Sequence, residues 1–336
     1  ARVLVSGMGG LSRPALPQIP GLDSFKGKSF HSQQWDHDYS LKGKRVAVIG
    51  TGASAIQFVP QIAPQVAHLD LFQRTPPWIM PKPDRTISPF ERWLFRHLPF
   101  TQSLVRSAFY LALEGGVVGF ALHPRLMKMV QKIALRHLHK QVARPSLRKT
   151  LTPDYTIGCK RVLISNDYYP ALSRSNVEVV TEPVLRVEAD GVITADGIKH
   201  PADCLIFGTG FQATDPLPRD CIIGRDGLDL MDAWHDGAHA YKGTAVPGYP
   251  NLFLIVGPNT GLGHNSMILM IEAQVTYILD ALRQMQRQRI ATVDVKPAVE
   301  QAYNRQLQDQ LKRTIWNTGG CQSWYLDPRT GKNTTL

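Results

Sequence analysis

Residues 46–55 constrain this chain most: Val46-Ala47-Val48-Ile49 is an apolar run, and Gly50-Thr51-Gly52-Ala53-Ser54-Ala55 follows it as GxGxxA. Four apolar residues ending in glycine fit a strand covered on both faces. Gly50 permits a tight turn, Gly52 lets backbone approach a pyrophosphate, and Ala55 lets the next helix pack close to the strand. The helix start offers unpaired N–H groups and a positive dipole end to phosphates. Residues 69–72 read as the next strand, so the glycines stand inside a complete βαβ unit, the context a dinucleotide site requires. At the end of that strand an NAD-binding chain usually carries Asp or Glu for the ribose 2′-hydroxyl. Here the residues are Phe72-Gln73-Arg74-Thr75, and an arginine favours the 2′-phosphate of NADP through charge-assisted hydrogen bonds. The candidate cofactor-binding residues of this unit are Gly50, Thr51, Gly52, Ser54, Ala55, Arg74 and Thr75.

Around the unit, residues 1–7, 204–210 and 252–257 are apolar runs closing on glycine and read as buried strands. Residues 12–21 are a proline-rich connector. Four prolines between positions 76 and 83 exclude regular structure there. Residues 89–142 carry helical periodicity, two or three helices inserted into the domain at about 87–145. Residues 162–164 form a short apolar run, and Asp190-Gly191 and Asp196-Gly197 each signal a hairpin. Residues 264–288 and 297–316 read as amphipathic helices. The fold class that follows is α/β, with a mainly parallel sheet in a Rossmann-like NADP-binding domain.

With 336 residues, 43% hydrophobic, the chain has material for one or two packed domains. A net charge of +11 raises nucleic acid as a partner. No helix-turn-helix, zinc or base-stacking signature accompanies it, and an anionic dinucleotide is the simpler explanation. The local basic excess at 125–149 reads as amphipathic packing rather than as a membrane-surface helix. The most apolar stretch, residues 108–122, is interrupted by Glu114 and is too short to span a bilayer. The four cysteines, Cys159, Cys204, Cys221 and Cys321, form neither a disulfide framework nor a CxxC pair. They read as reduced thiols of a cytoplasmic protein. No metal site is expected.

Directly before the βαβ unit stands Phe25-Lys26-Gly27-Lys28-Ser29-Phe30-His31-Ser32-Gln33-Gln34-Trp35-Asp36. It resembles the fingerprint FxGxxxHxxxW(P/D) of the Baeyer–Villiger-type flavin monooxygenases, class B flavoprotein monooxygenases of the 4-hydroxyacetophenone monooxygenase kind. Phe25, Gly27, His31, Trp35 and Asp36 fill its defined positions. The resemblance runs from the first strand to Ser323-Trp324-Tyr325. It implies an NADPH- and FAD-dependent enzyme that turns a ketone into an ester or lactone with O₂ through a C4a-peroxyflavin. It also implies the larger fold, in which residues 1–40 are the linker and end of an FAD domain, 41–205 the NADP domain, and 206–336 the return to the FAD domain.

Within that pattern Lys160 is expected on the 2′-phosphate and Arg161 beside the flavin as the catalytic residue. A guanidinium that cannot lose its proton stabilises developing negative charge. Met267 is expected near the isoalloxazine and Trp324 over the nicotinamide end, while His31 anchors the linker rather than transferring protons. The family's first strand-GxGxxG-helix, which grips the ADP half of FAD, does not occur in these residues. The chain therefore reads as a fragment, incompletely folded alone and unable to hold FAD through gel filtration. The rival readings are an N- or S-oxygenating flavoenzyme and a non-catalytic NADPH-binding module. Substrate identity and oligomeric state are not encoded in any motif.

Overall fold

The structure, a computed structural model, describes residues 1–215 and 217–336, with the backbone alone for Pro124. In chain order the strands are β1 (Leu4–Ser6), β2 (Lys28–His31), β3 (Arg45–Ile49), β4 (His68–Phe72), β5 (Ile79–Met80), β6 (Leu163–Ile164), β7 (Val177–Val180), β8 (Val184–Glu188), β9 (Gly191–Thr194), β10 (Lys199–Pro201), β11 (Cys204–Phe207) and β12 (Leu252–Leu254). The helices are α1 (Ala55–Ile62), α2 (Pro89–His97), α3 (Phe100–Glu114), α4 (Met127–Gln141), α5 (Pro145–Thr150), α6 (Tyr168–Leu172), α7 (Leu230–Ala233), α8 (Met267–Gln288), α9 (Pro297–Leu311) and α10 (Ile315–Thr318).

The fold is α/β, organised on a five-stranded sheet of order β2-β11-β3-β4-β7 in which every pair is parallel. Its central strands are apolar on both faces because both faces are covered. Val46 and Val48 join one core with Leu69, Leu71 and Ile206, while Ala47 joins another with Leu205 and Phe207. Helix α1 turns Ala55, Ile56, Val59 and Ile62 inward onto the first of these cores. The antiparallel meander β8-β9-β10 is turned at the two Asp-Gly pairs. At Gly191 a Cβ would lie 2.4 Å from the His200 carbonyl oxygen, so only glycine fits that corner. Helix α2 begins at a capping box: Ser88 Oγ accepts from the Glu91 N–H, and Glu91 Oε2 accepts from the Ser88 N–H.

Several expectations are corrected. Strand β2, assigned to a linker ending at position 40, is hydrogen-bonded along β11 in the five-stranded sheet. Strand β11 is paired on both sides, with β2 and with β3, although the chain was expected to fold incompletely alone. The proline segment holds a strand after all. Residues Trp78 and Met80 accept hydrogen bonds from Leu163 and Ser165 through their carbonyls, which needs no proline N–H. The apolar stretch is also longer than expected: α3 ends at Glu114, a π-helical turn follows at Val118–Leu122, and residues 100–122 together are long and apolar enough, by length and composition only, to cross a membrane.

The cysteine reading is also overturned. Cys159 and Cys321, 162 positions apart, form a disulfide, with Cα atoms 6.2 Å apart. The packing that brings them together is local to the far ends of the loop. The Thr156 N–H donates to the Gly319 carbonyl, and a Cβ on Gly319 would sit 2.5 Å from Cys159 Cβ. Cys204 and Cys221 are free, and burial pushes the Cys204 thiol up to about 12. A crosslink closing so long a loop restricts the unfolded chain, an effect on the order of 3–5 kcal/mol. Thermal unfolding with and without a thiol reductant is expected to show the melting temperature falling by several degrees on reduction, and no further fall in Cys159→Ser. An unchanged melting temperature would remove the stabilising role of the bond.

Candidate functional site

Strand β3 ends at Gly50, whose φ of +108° suits glycine and whose Cβ position lies 2.5 Å from the Gly208 carbonyl oxygen. The turn is thus pressed against the end of β11, and the Gly50 N–H donates to Phe72 at the end of β4. At Gly52 a Cβ would meet nothing nearer than 4.0 Å, so the outer side of the turn is open. The N–H groups of Gly52, Ala53 and Ser54 donate to no protein group among the described residues. Ala55 is fully buried where α1 leaves the strand. These are the features of an anion cradle: open space, free donors and a helix start behind them.

The rim of the cradle is cationic. Thr51 Oγ1 donates to the Thr75 carbonyl at 3.2 Å, which fixes the segment carrying Arg74 beside the turn. Lys160, half-buried with its Nζ 5.0 Å above the Tyr155 ring, lies close enough to Arg74 to feel its charge. Burial first, and the Arg74 guanidinium second, lower its pKa from the ordinary lysine value. Neither cation has an ion-pair partner among the described residues. A phosphate dianion between them would relieve both penalties. Tyr155 is held below by its hydroxyl bond to the Pro76 carbonyl and by Trp78 Nε1 donating to the Tyr155 carbonyl at 2.8 Å.

One residue further, Arg161 enters a cavity of about 440 Å³ that Met267 and Trp324 also line. The same cavity takes in the backbone of Gly9 and Gly10, the Gly257-Pro258 turn, Asn265 and Tyr325. Arg161 is exposed and has no ion-pair partner among the described residues. Burial pushes the Tyr325 phenol up to about 12, against the opposing pull of Arg161, so it stays a proton donor. Trp324 packs against Tyr325 with ring centroids 4.8 Å apart. The disulfide joins the residue preceding Lys160-Arg161 to the segment preceding Trp324, so one crosslink ties both sides of this corner.

The fingerprint residues lie at the join between the strands and their connectors. Gly27 is forced to be glycine, since a Cβ would fall 2.5 Å from the Asp203 carbonyl oxygen and 2.6 Å from Phe25 Cζ. Trp35 packs edge-on to Phe30 at 5.1 Å and against Phe58 at 5.2 Å, which clamps β2 to α1. Asp36 pairs with Lys28 at 2.5 Å. His31 is buried. Its Nδ1 accepts from the Gln33 N–H, and its Nε2 finds no partner within hydrogen-bonding geometry among the described residues. Burial lowers its pKa below the ordinary histidine value, which keeps the ring neutral at pH 7. Its ring meets Phe211 edge-on at 5.7 Å, where the two connectors cross: the Ala15 N–H donates to Gly210, and the Gln212 N–H to Arg13.

Sequence reasoning missed the residues that hold the cavity wall. Gln274, buried in the middle of α8, donates to Gly243 and Thr244, and its Oε1 accepts from the Val256 N–H. Asn259 Nδ2 donates to the carbonyls of Asn333 and Leu336 and draws the chain's last residues into the lining. A buried polar residue on the apolar side of a helix was the available sign for Gln274. Nothing in the spacing of Asn259 distinguished it.

Residues 2–226 match the flavin-binding monooxygenase-like family. The chain is 59% identical over its whole length to a Baeyer-Villiger monooxygenase of Pseudomonas aeruginosa and 50% identical to one of Streptomyces coelicolor. It spans 64% and 65% of the lengths of those relatives. Among solved structures it resembles OTEMO in complex with FAD and NADP, with a TM-score of 0.85 and 28% identity over the whole chain and 70% of that protein. An oxidized steroid monooxygenase bound to NADP gives a TM-score of 0.83 at 27% identity, over the whole chain and 70% of that protein. With the glycine cradle, the fingerprint and these likenesses together, the chain belongs to the flavin-binding monooxygenase-like family.

Proposed function

We propose that this chain is the NADP-binding and cavity-forming part of an NADPH- and FAD-dependent monooxygenase that converts a ketone to an ester or lactone. The observation that carries the reading is the position of Arg161: a guanidinium lining the 440 Å³ cavity, without an ion-pair partner among the described residues, one residue from the cationic rim of the dinucleotide cradle. The named relatives and the FAD- and NADP-bound structures support it. Residues 41–205 serve as the NADP domain with its helical insertion, β2 added at its edge, and 206–336 return toward the flavin.

The residues fit the two cofactors. The N–H groups of Gly52, Ala53 and Ser54 would hold the NADP pyrophosphate, and Arg74 with Lys160 the 2′-phosphate. Met267, Trp324 and the Gly9-Gly10 backbone would border the flavin. When bound, flavin supplies the redox chemistry that carries electrons from NADPH to O₂. Arg161 holds a permanent positive charge where negative charge develops on the substrate carbonyl oxygen. Trp324 and Tyr325 cover the cavity and limit water.

The balanced reaction takes ketone, O₂, NADPH and H⁺ to ester, NADP⁺ and water. The polypeptide as its gene encodes it, supplied with FAD and NADPH under ¹⁸O₂, is expected to give an ester bearing one ¹⁸O from a ketone and little product from a matched amine or sulfide. Preferential oxygenation of the amine or sulfide would overturn the ketone assignment. Replacing Arg74 and Lys160 with alanine is expected to weaken NADPH binding roughly 10- to 100-fold, as loss of charged hydrogen bonds does, while NADH binding stays within a few-fold. Equal losses for both nucleotides would deny these residues the 2′-phosphate.

A further inference from the structure

Helix α3 has an apolar side but buries none of its residues. At 100° per residue, Gln102, Ser103, Arg106, Ser107 and Glu114 gather on one side and Phe100, Leu104, Val105, Phe109 and Leu111 on the other. Two residues of the polar side, Arg106 and Glu114, bond to the body of the protein. Arg106 pairs with Glu272 of α8 at 2.5 Å, and Glu114 Oε2 accepts from Asn265 Nδ2 at 3.0 Å with His264 Nε2 at 3.4 Å. The apolar side faces outward: Phe100, Leu104, Phe109 and Leu111 are each at least 60% exposed. Only 6% of the most apolar 18 residues of the 100–122 run are buried. Helix α2 adds Phe90 and Trp93, more than half exposed and stacked on one another.

Charge identifies what covers this face. Residues 89–141 hold eight Lys and Arg against Glu91 and Glu114 alone, which is more than half of the chain's net charge of +11. Arg92, Arg96, Arg125, Lys128 and Lys132 are exposed, and none has an ion-pair partner among the described residues. A second copy of the chain docked by two-fold symmetry would set these cations against themselves. An exposed apolar surface with an exposed Trp, in a segment rich in exposed Arg and Lys, matches an anionic bilayer: apolar side chains enter the acyl boundary and cations meet the headgroups. The two tethers along the polar side of α3 hold the helix against the body, so it lies in the interface plane instead of crossing it.

We propose that α2, α3 and the following turn form a monotopic docking surface for an anionic membrane. Asn265, bonded to Glu114, also lines the 440 Å³ cavity, so the side of α3 turned away from the docked face adjoins the cavity rim. The proposal is independent of the oxygenase reading. Its test is co-sedimentation of the polypeptide as its gene encodes it with vesicles of phosphatidylcholine alone or with about one-third phosphatidylglycerol. Binding is expected to be at least tenfold stronger to the phosphatidylglycerol vesicles and to weaken as salt is raised. Leu104→Ser with Phe109→Ser and Leu111→Ser should remove binding to both vesicle types, while Arg92→Gln with Arg96→Gln and Lys128→Gln should remove the preference for anionic lipid. All six side chains are exposed, and circular dichroism confirms that each variant is folded. Failure to sediment with phosphatidylglycerol vesicles at low salt would overturn the proposal. So would light scattering that finds a dimer which the serine variant dissolves. Strong protection of α3 from hydrogen exchange without vesicles would assign the face to further polypeptide and overturn it equally.

Discussion

Arg161→Ala is expected to lower the rate of ketone oxygenation by roughly 10²- to 10³-fold, the usual effect of deleting one preorganised group from a developing oxyanion. NADPH binding should change little, because Arg161 lies on the cavity side of the corner and Lys160 on the cradle side. The fold should hold as well, since the side chain is exposed and forms no ion pair among the described residues. Arg161→Lys should recover only part of the rate. An ammonium keeps the charge but not the fixed planar fork. Product analysis alongside NADPH consumption separates the outcomes. Uncoupled NADPH oxidation without ester fits the assigned role, and wild-type ester yield in the alanine variant would end it.

Gly50→Ala is expected to weaken NADPH binding by at least about 100-fold, or more than about 2.7 kcal/mol. The backbone there sits at φ +108°, a region that L side chains rarely adopt, and the added methyl would lie 2.5 Å from the Gly208 carbonyl oxygen. The obstacle is backbone at the end of the adjacent parallel strand, so relief requires β3 and β11 to separate at the point where the cradle forms. Gly43→Ala is the control. Its φ is +70°, but no atom lies within 4 Å of the added methyl, so it should cost only about 1 kcal/mol of stability and leave nucleotide binding intact. Calorimetric titration with NADPH distinguishes the two. Similar affinity in both variants would mean that the Gly50 turn does not hold the nucleotide.

The amino-acid sequence determined those parts whose physical requirements are local. Gly50, Gly52 and Ala55 meet backbone demands within a few residues, and the strand around Val46 is apolar on both faces because parallel strands are covered twice. The two Asp-Gly turns and the capping box at Ser88 belong to the same class. Tertiary structure decided whatever depends on meetings between distant segments. Cys159 meets Cys321 across 162 positions, where Gly319 packs closely on it. Strand β2 leaves its connector for the sheet because β11 offers a free edge with matching register. Arg161, Met267 and Trp324 share one cavity although no spacing links them. The direction in which α3 faces was equally hidden. Periodicity gives a helix an apolar side, but whether a core covers that side depends on distant segments; Arg106, for one, bonds Glu272, 166 residues away.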